Sequence, residues 1–164
     1  MPDRAPGLAQ LGELAGEVIP MWLAVAIGAF ALLELTNVVT LYFAPGSRRA
    51  NGVGVFTAWE KSKADPEVHA FVRYLVYWVA GTKLIFLALI AVILATAPER
   101  TQVAAAAVLA LSIASFFWRL FPIARGMDKR GQMMPAGYSL TLGVMIGAMV
   151  AVFGIGAAVA ALAG

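Results

Sequence analysis

The sequence contains no cysteine, only one histidine (His69), and charged residues at just 13% of its 164 positions. Without cysteine the chain has no disulfide, no thiolate nucleophile and no thiolate ligand for a metal or iron–sulfur cluster. One histidine is too few for two-histidine haem ligation or for the usual zinc sites. These absences predict a chain without a metal centre or bound cofactor, in which any chemistry depends on carboxylates, lysine and hydroxyl groups.

Charge is scarce because apolar residues make up 62% of the chain. Soluble domains contain roughly 45–50% apolar and 25% charged residues. The formal net charge of +3 is compatible with an anionic partner. The basic residues, however, lie beside apolar runs, where they act as topology signals, and no nucleic-acid partner is predicted. The composition therefore predicts an integral membrane protein that has the lipid bilayer as its main partner.

Four apolar runs are long enough to cross a bilayer, which takes about 20 apolar residues per helix. The sequence predicts an all-α, polytopic membrane protein with one domain, 1–164, and four transmembrane helices in an antiparallel bundle. The second helix is expected to begin in water, with Asp65 as its N-cap and Pro66 at its first position. The helices are expected at about 21–43, 66–97, 103–121 and 136–163, joined by connections at 44–65 and 122–135.

The segment 1–20 lacks the positive charge and the cleavage site of a signal peptide. Its leucines fall on one face of a helix, whereas Glu13 and Glu17 fall on the other. We expect a short amphipathic helix on the membrane surface, separated from the first span by Pro20. A disordered tail is the alternative.

Lysine and arginine are distributed unevenly about the four spans. The connections and the helix ends beside them carry nearly all of these residues, whereas the opposite side has Arg4 and Arg100. Both connections are therefore expected in the cytoplasm, with both termini on the non-cytoplasmic side of the cell membrane. The cations expected to contact anionic lipid head groups are Arg48, Arg49, Arg119, Arg125, Lys129 and Arg130.

Two charges of opposite sign interrupt the spans. Glu34 lies nine residues before Phe43 and Lys83 lies nine residues after Tyr74, so both are about 13.5 Å from the same boundary. A short connection makes the first two helices neighbours, and the two side chains are expected to meet near the midplane. Either charge alone would cost roughly 2.5–3.5 kcal/mol in the centre of a membrane helix. The two charges therefore predict an intramembrane ion pair.

Asn37 lies one turn from Glu34 and is expected to donate to its carboxylate. Ser112 and Ser115 of the third helix are the other candidate members of this intramembrane polar site. One interpretation is a static pair that fixes the register of two helices, and the other is a site for a proton, an ion or a substrate. A hydrated cavity beside the pair would favour transport, whereas a dry, mutually satisfied pair would favour a structural role.

The fourth helix carries small residues at intervals of four, namely Gly143, Gly147 and Ala151. Small residues at this spacing allow two helix backbones to approach closely. Packing within one chain and a homodimer across this face are both compatible with the pattern.

Two functions fit these features. The first is a small transporter or channel that uses the Glu34 and Lys83 site. The second is a non-catalytic accessory or assembly subunit that packs against a larger membrane protein. An enzyme is the weaker hypothesis, because the acidic residues outside the spans are scattered rather than paired for catalysis.

Overall fold

The computed structural model describes the backbone of residues 6–163 and the side chains of residues 21–162. This part of the chain is helical and contains no β-strand. A 3-10 turn, Val53–Val55, precedes the second helix. The α-helices are α1 (Pro6–Phe43), α2 (Thr57–Ser62), α3 (Pro66–Thr96), α4 (Glu99–Ala114), α5 (Phe116–Lys129) and α6 (Tyr138–Ala163).

Four segments of the described chain are long and apolar enough to cross a membrane: Met21–Phe43, Pro66–Thr96, Glu99–Lys129 and Tyr138–Leu162. The third of them consists of α4 and α5 together. The expectation of an all-α chain is confirmed, and the four helices indicate a multi-pass membrane protein.

Helix boundaries differ from the expected ones at two prolines. α1 continues through Pro20, where we expected a break, and α5 continues through Pro122, beyond the expected end at residue 121. A proline inside a helix removes one backbone hydrogen bond, and membrane helices tolerate this loss where neighbouring groups compensate. The interruption of the third span lies instead at Ser115, whose hydroxyl donates to the carbonyl oxygen of Ser112 at 2.6 Å. Such local bonds compete with the helical hydrogen-bond ladder and bend helices.

Of the amphipathic surface helix expected at 1–20, the structure describes only the backbone from Pro6 onward. From Pro6 onward its backbone belongs to α1. The side chains before Met21, on which the amphipathic prediction depends, are outside the described part of the structure.

α1 is the central helix. It packs against α3, α4 and α6, while α4 packs against α6, and α3 is held mainly by α1. One core cluster joins four helices and includes Ile27, Ala106 and Phe153. A second cluster joins α1 to α3 and includes Val38 and Ala80. The contact between α1 and α3 therefore determines the position of α3.

The two long connections meet at one end of the molecule. Phe56 and Met133 form an isolated antiparallel bridge. The amide of Thr57 donates to the carbonyl oxygen of Gln132 at 3.0 Å, and the amide of Met134 donates to that of Val55 at 2.8 Å. The two connections are thus joined by backbone hydrogen bonds between residues 55–57 and 132–134.

The first connection is also anchored on α3 through α2. The rings of Trp59 and His69 lie 4.8 Å apart, and Ser62 Oγ is 2.8 Å from His69 Nδ1. The Ser62 hydroxyl donates to the carbonyl oxygen of Trp59, so His69 Nδ1 donates to Ser62. This contact holds α2 against the first turns of α3.

α3 begins at the expected cap. The Asp65 carboxylate accepts hydrogen bonds from the amides of Glu67 at 3.0 Å and Val68 at 3.2 Å, and Pro66 occupies the first turn. These bonds satisfy two of the amides that a helix start leaves without partners. The predicted N-cap is confirmed.

Candidate intramembrane polar site

Glu34 and Lys83 lie on the facing helices α1 and α3, and their side chains form an ion pair in which Lys83 Nζ donates to Glu34 Oε2. The pair is partly open, because 13% of the Glu34 side chain and 26% of the Lys83 side chain remain exposed. Each group neutralises the charge of the other, which makes both compatible with an apolar environment.

Asn37 extends this pair into a network. Its Nδ2 donates to Glu34 Oε1 at 3.1 Å, and its Oδ1 accepts the amide of Asn51 at 3.2 Å. Asn37 is buried. Both oxygens of Glu34 therefore have partners, and the network reaches from the span to the connection after α1.

A folded-back loop brings Asn51 to Asn37. A Cβ atom at Gly54 would overlap the carbonyl oxygen of Gly46, and one at Gly52 would overlap that of Ser47. The glycines thus allow the backbone to close on itself, and Val53 packs against the cluster between α1 and α3. Sequence reasoning missed this loop, although its glycines at 46, 52 and 54 were a visible signal of close backbone approach.

The structure does not bring Ser112 and Ser115 into the site. Both residues are exposed, and among the described residues neither hydroxyl bonds to Glu34, Asn37 or Lys83. The physical reason is helical periodicity, because the buried face of α4 carries Ala106 and Ala110 and turns Ser112 outward.

A groove of about 360 Å³ lies between α1 and α3. Its wall is entirely apolar. The groove lies within one helical turn of the polar site, since Leu87, which lines it, is four residues from Lys83 on α3. The lining includes Gly28, Ala31 and Leu35 from α1, and Leu87, Ile90 and Leu94 from α3.

A second groove, of about 680 Å³, lies between α4 and α6. Small residues line it, among them Ala107, Gly154 and Ala158, and Glu99 and Arg100 lie at its rim. Neither Glu34 nor Lys83 lines either groove.

Two residues of the expected helix-packing face contact α5 of the same chain. A Cβ atom at Gly143 would lie 2.7 Å from Phe121 Cε2, and one at Gly147 would lie 3.8 Å from Phe117 Cζ. Ala151 is exposed. The two glycines therefore make room for aromatic rings, which favours packing within one chain at these positions.

The cations expected at lipid head groups differ in exposure. Arg125 is half-buried and its Nη1 lies 3.4 Å from Ser139 Oγ, to which it donates. Arg119 lies over the ring of Trp118 at 5.4 Å. The exposed members of the set are Arg48, Arg49, Arg119, Lys129 and Arg130.

The described residues contain no group of three or more His, Asp or Glu side chains suited to hold a metal ion. Asp128 and His69 have separate partners: Asp128 bonds to Gly137 and Ser139, and His69 contacts Ser62 and Trp59. The polar site on α1 and α3 is therefore the main candidate for function. Comparison with known protein families, curated proteins and solved structures gave no match to this chain.

Proposed function

We propose that the chain is a small transporter of the cell membrane in which Glu34 alternately pairs with Lys83 and binds a proton or cation. The observation that carries this proposal is the partly open ion pair between α1 and α3. A lysine ammonium has three donors, and Lys83 makes one hydrogen bond within the described residues, to Glu34. The remaining donors are available to a solute.

Competition at Glu34 supplies the working step. A proton or cation on the Glu34 carboxylate weakens its attraction to Lys83, and return of Lys83 displaces that ion. Ionisable groups inside membrane spans commonly mark pathways for ions, protons or substrates. Asn37 keeps Glu34 oriented in both states, because its amide donates to the oxygen that Lys83 does not use.

The proposal includes an antiparallel arrangement of the four spans, with both connections in the cytoplasm and both termini outside. Two observations support it. The connections are hydrogen-bonded to each other at one end of the molecule. The exposed basic residues Arg48, Arg49, Lys129 and Arg130 belong to those connections or lie beside them.

Flux measurements test the proposal. Purified protein is reconstituted into liposomes that contain a pH-sensitive dye, and proton movement is followed after a pH step. Glu34→Gln is expected to reduce flux at least tenfold, whereas Lys129→Gln, which removes an exposed cation outside the site, is expected to leave it unchanged. Equal flux in wild type and Glu34→Gln would contradict the proposal.

A non-catalytic accessory or assembly subunit is the second candidate. It is favoured by the fact that both oxygens of Glu34 have partners within the chain, as in a structural pair. Purification in mild detergent, with identification of co-eluting proteins, tests this function. A stable larger complex would support it, and a uniform preparation that contains only this chain would count against it.

A further inference from the structure

The groove between α1 and α3 begins one helical turn from the ion pair, because Leu87, which lines it, lies four residues after Lys83 on α3. On α3, Lys83, Leu87, Ile90 and Leu94 follow the spacing i, i+4, i+7 and i+11, which places them on one stripe of the helix. The last three of these residues line the groove. Lys83 therefore lies on the same stripe of α3 as the groove wall, one turn before it and on the side nearer the connections.

The groove has the shape and chemistry of a site for a hydrocarbon chain. Its wall is apolar, and its volume of about 360 Å³ lies at the small end of the range for small-molecule pockets. Leu32 and Leu35, which line the groove, are exposed, so the groove is open along its side. A ligand that enters from the lipid can lie along it.

The positive charge of Lys83, one turn from the groove, determines which head group such a ligand would carry. Lys83 is the only cation of α3 within the apolar part of the span, and its one hydrogen bond within the described part of the chain is to Glu34. A proton on Glu34 removes the negative partner, after which the ammonium needs another anion to remain neutralised. An ammonium attracts a carboxylate, repels a cationic head, and offers an alcohol only an ordinary hydrogen bond.

We propose that the α1–α3 groove binds an alkyl carboxylate, with its chain along the groove and its carboxylate paired with Lys83 while Glu34 is protonated. This inference rests on the proposed function and names the class of its solute. The charges balance: one proton binds to the Glu34 carboxylate and one carboxylate anion pairs with Lys83, so the occupied site has the same net charge as the empty one. Fatty acids are the natural members of this class.

Binding of dodecanoate to the purified protein in lipid nanodiscs tests the inference. Isothermal titration calorimetry, corrected with empty nanodiscs, is expected to give at least tenfold tighter binding for dodecanoate than for dodecanol or dodecyltrimethylammonium. Glu34→Gln is expected to tighten binding of dodecanoate about tenfold at neutral pH, because it mimics the protonated acid. Lys83→Met is expected to abolish the preference for dodecanoate over dodecanol.

A groove-filling variant separates binding from folding. A Cβ atom at Gly28 would have its nearest contact with Leu94 Cδ1 at 4.0 Å, so Gly28→Leu extends into the groove without a backbone clash. This variant is expected to lose dodecanoate binding at least tenfold while it retains the wild-type elution volume. Ala88→Leu, an exposed position of α3 outside the groove, is the matched control and is expected to bind normally.

The outcomes distinguish the inference from the function on which it rests. Dodecanoate binding that is no tighter than dodecanol binding, or that is equal in wild type and Gly28→Leu, overturns the inference. If proton flux depends on Glu34 while dodecanoate fails to bind, the transporter proposal stands and the alkyl carboxylate is the wrong solute. If dodecanoate binds as expected while flux is independent of Glu34, the binding site stands and the transporter proposal falls.

Discussion

Glu34 and Asp128 have largely enclosed carboxylates, and the two are stabilised in different ways. Asp128, which is 8% exposed, accepts hydrogen bonds from the amides of Gly137 and Ser139, each at 2.9 Å, and from the Ser139 hydroxyl at 2.6 Å. Glu34 instead accepts hydrogen bonds from two side chains, those of Lys83 and Asn37. One carboxylate is held by the start of α6, and the other is held by groups that can rotate away.

On this difference we distinguish a structural role for Asp128 from the proposed functional role of Glu34. The Gly137 and Ser139 amides are fixed by the backbone at the start of α6, where amides lack helical partners. No competing ligand can take their place without unfolding the helix start. The ammonium of Lys83 is the end of a flexible chain with rotatable donors, and a proton or another anion can compete for it. Asp128 therefore stabilises the helix start, whereas exchange at Glu34 is the role that we propose.

The largest effect is expected from Asp128→Ala. The change leaves the Gly137 and Ser139 amides without their carboxylate and is expected to lower the free energy of unfolding by roughly 2–4 kcal/mol. Thermal and SDS-induced unfolding of the purified protein measure it. Lys129→Ala, at the neighbouring exposed position, is the control. If Asp128→Ala lowered the free energy of unfolding no more than Lys129→Ala does, a structural role for Asp128 would be contradicted.

Lys83→Met is expected to lower stability less than Asp128→Ala does, and to lower proton flux more. Breaking a fully buried ion pair costs 3–5 kcal/mol, and the partial exposure of this pair reduces the expected loss to about 1–3 kcal/mol. The double variant Lys83→Met with Glu34→Gln is expected to recover most of that stability and none of the flux. Unfolding in detergent and flux in liposomes measure the two properties. If the double variant recovered both stability and flux, the ion pair would have a structural role only, as Asp128 does.

The sequence predicted the parts of the fold that depend on local patterns. The four spans follow from apolar length, and the start of α3 follows from the Asp65 cap and Pro66. The count of residues from the expected boundary placed Glu34 and Lys83 at one depth, and the structure has their side chains in contact. That this contact lies within a bilayer and takes part in transport stays a prediction.

The features that the sequence did not predict depend on residues distant along the chain. Asp128 caps a helix that begins ten residues later, at Tyr138, which no local capping pattern indicates. The bond from the Asn51 amide to Asn37 requires the loop to fold back over α1, and the glycines at 46, 52 and 54 indicate a close backbone approach without indicating this contact. Ser112 and Ser115 have the polarity for the site, but Ser112 lies on an exposed side of α4 and Ser115 is exposed at the end of that helix. The position of a residue on its helix therefore predicted membership of the polar site better than its residue type did.

Asn37→Leu tests whether the loop after α1 is coupled to the Glu34 carboxylate through Asn37. The change removes the partners of Glu34 Oε1 and of the Asn51 amide, and it is expected to cost about 1–2 kcal/mol of stability. Faster hydrogen exchange in residues 46–54 is the direct measurement. Thr40→Val is the matched control, because the Thr40 hydroxyl bonds only to its own helix, at the carbonyl oxygen of Thr36. An unchanged rate of hydrogen exchange in residues 46–54 of Asn37→Leu would show that the loop does not depend on the polar site.

The smallest effect is expected from Gly143→Ala, which tests how α6 is held at positions beyond its Asp128 cap. The added methyl would lie 2.7 Å from Phe121 Cε2, so the ring must shift. The gain in helix propensity offsets part of this overpacking, which leaves a net loss of about 1 kcal/mol. Phe121→Leu in the same chain is expected to relieve the loss, and the oligomeric state, measured by chemical cross-linking in liposomes, is expected to stay the same. A changed oligomeric state with no loss of stability would instead place Gly143 between two chains, because a contact within one chain affects folding before it affects association.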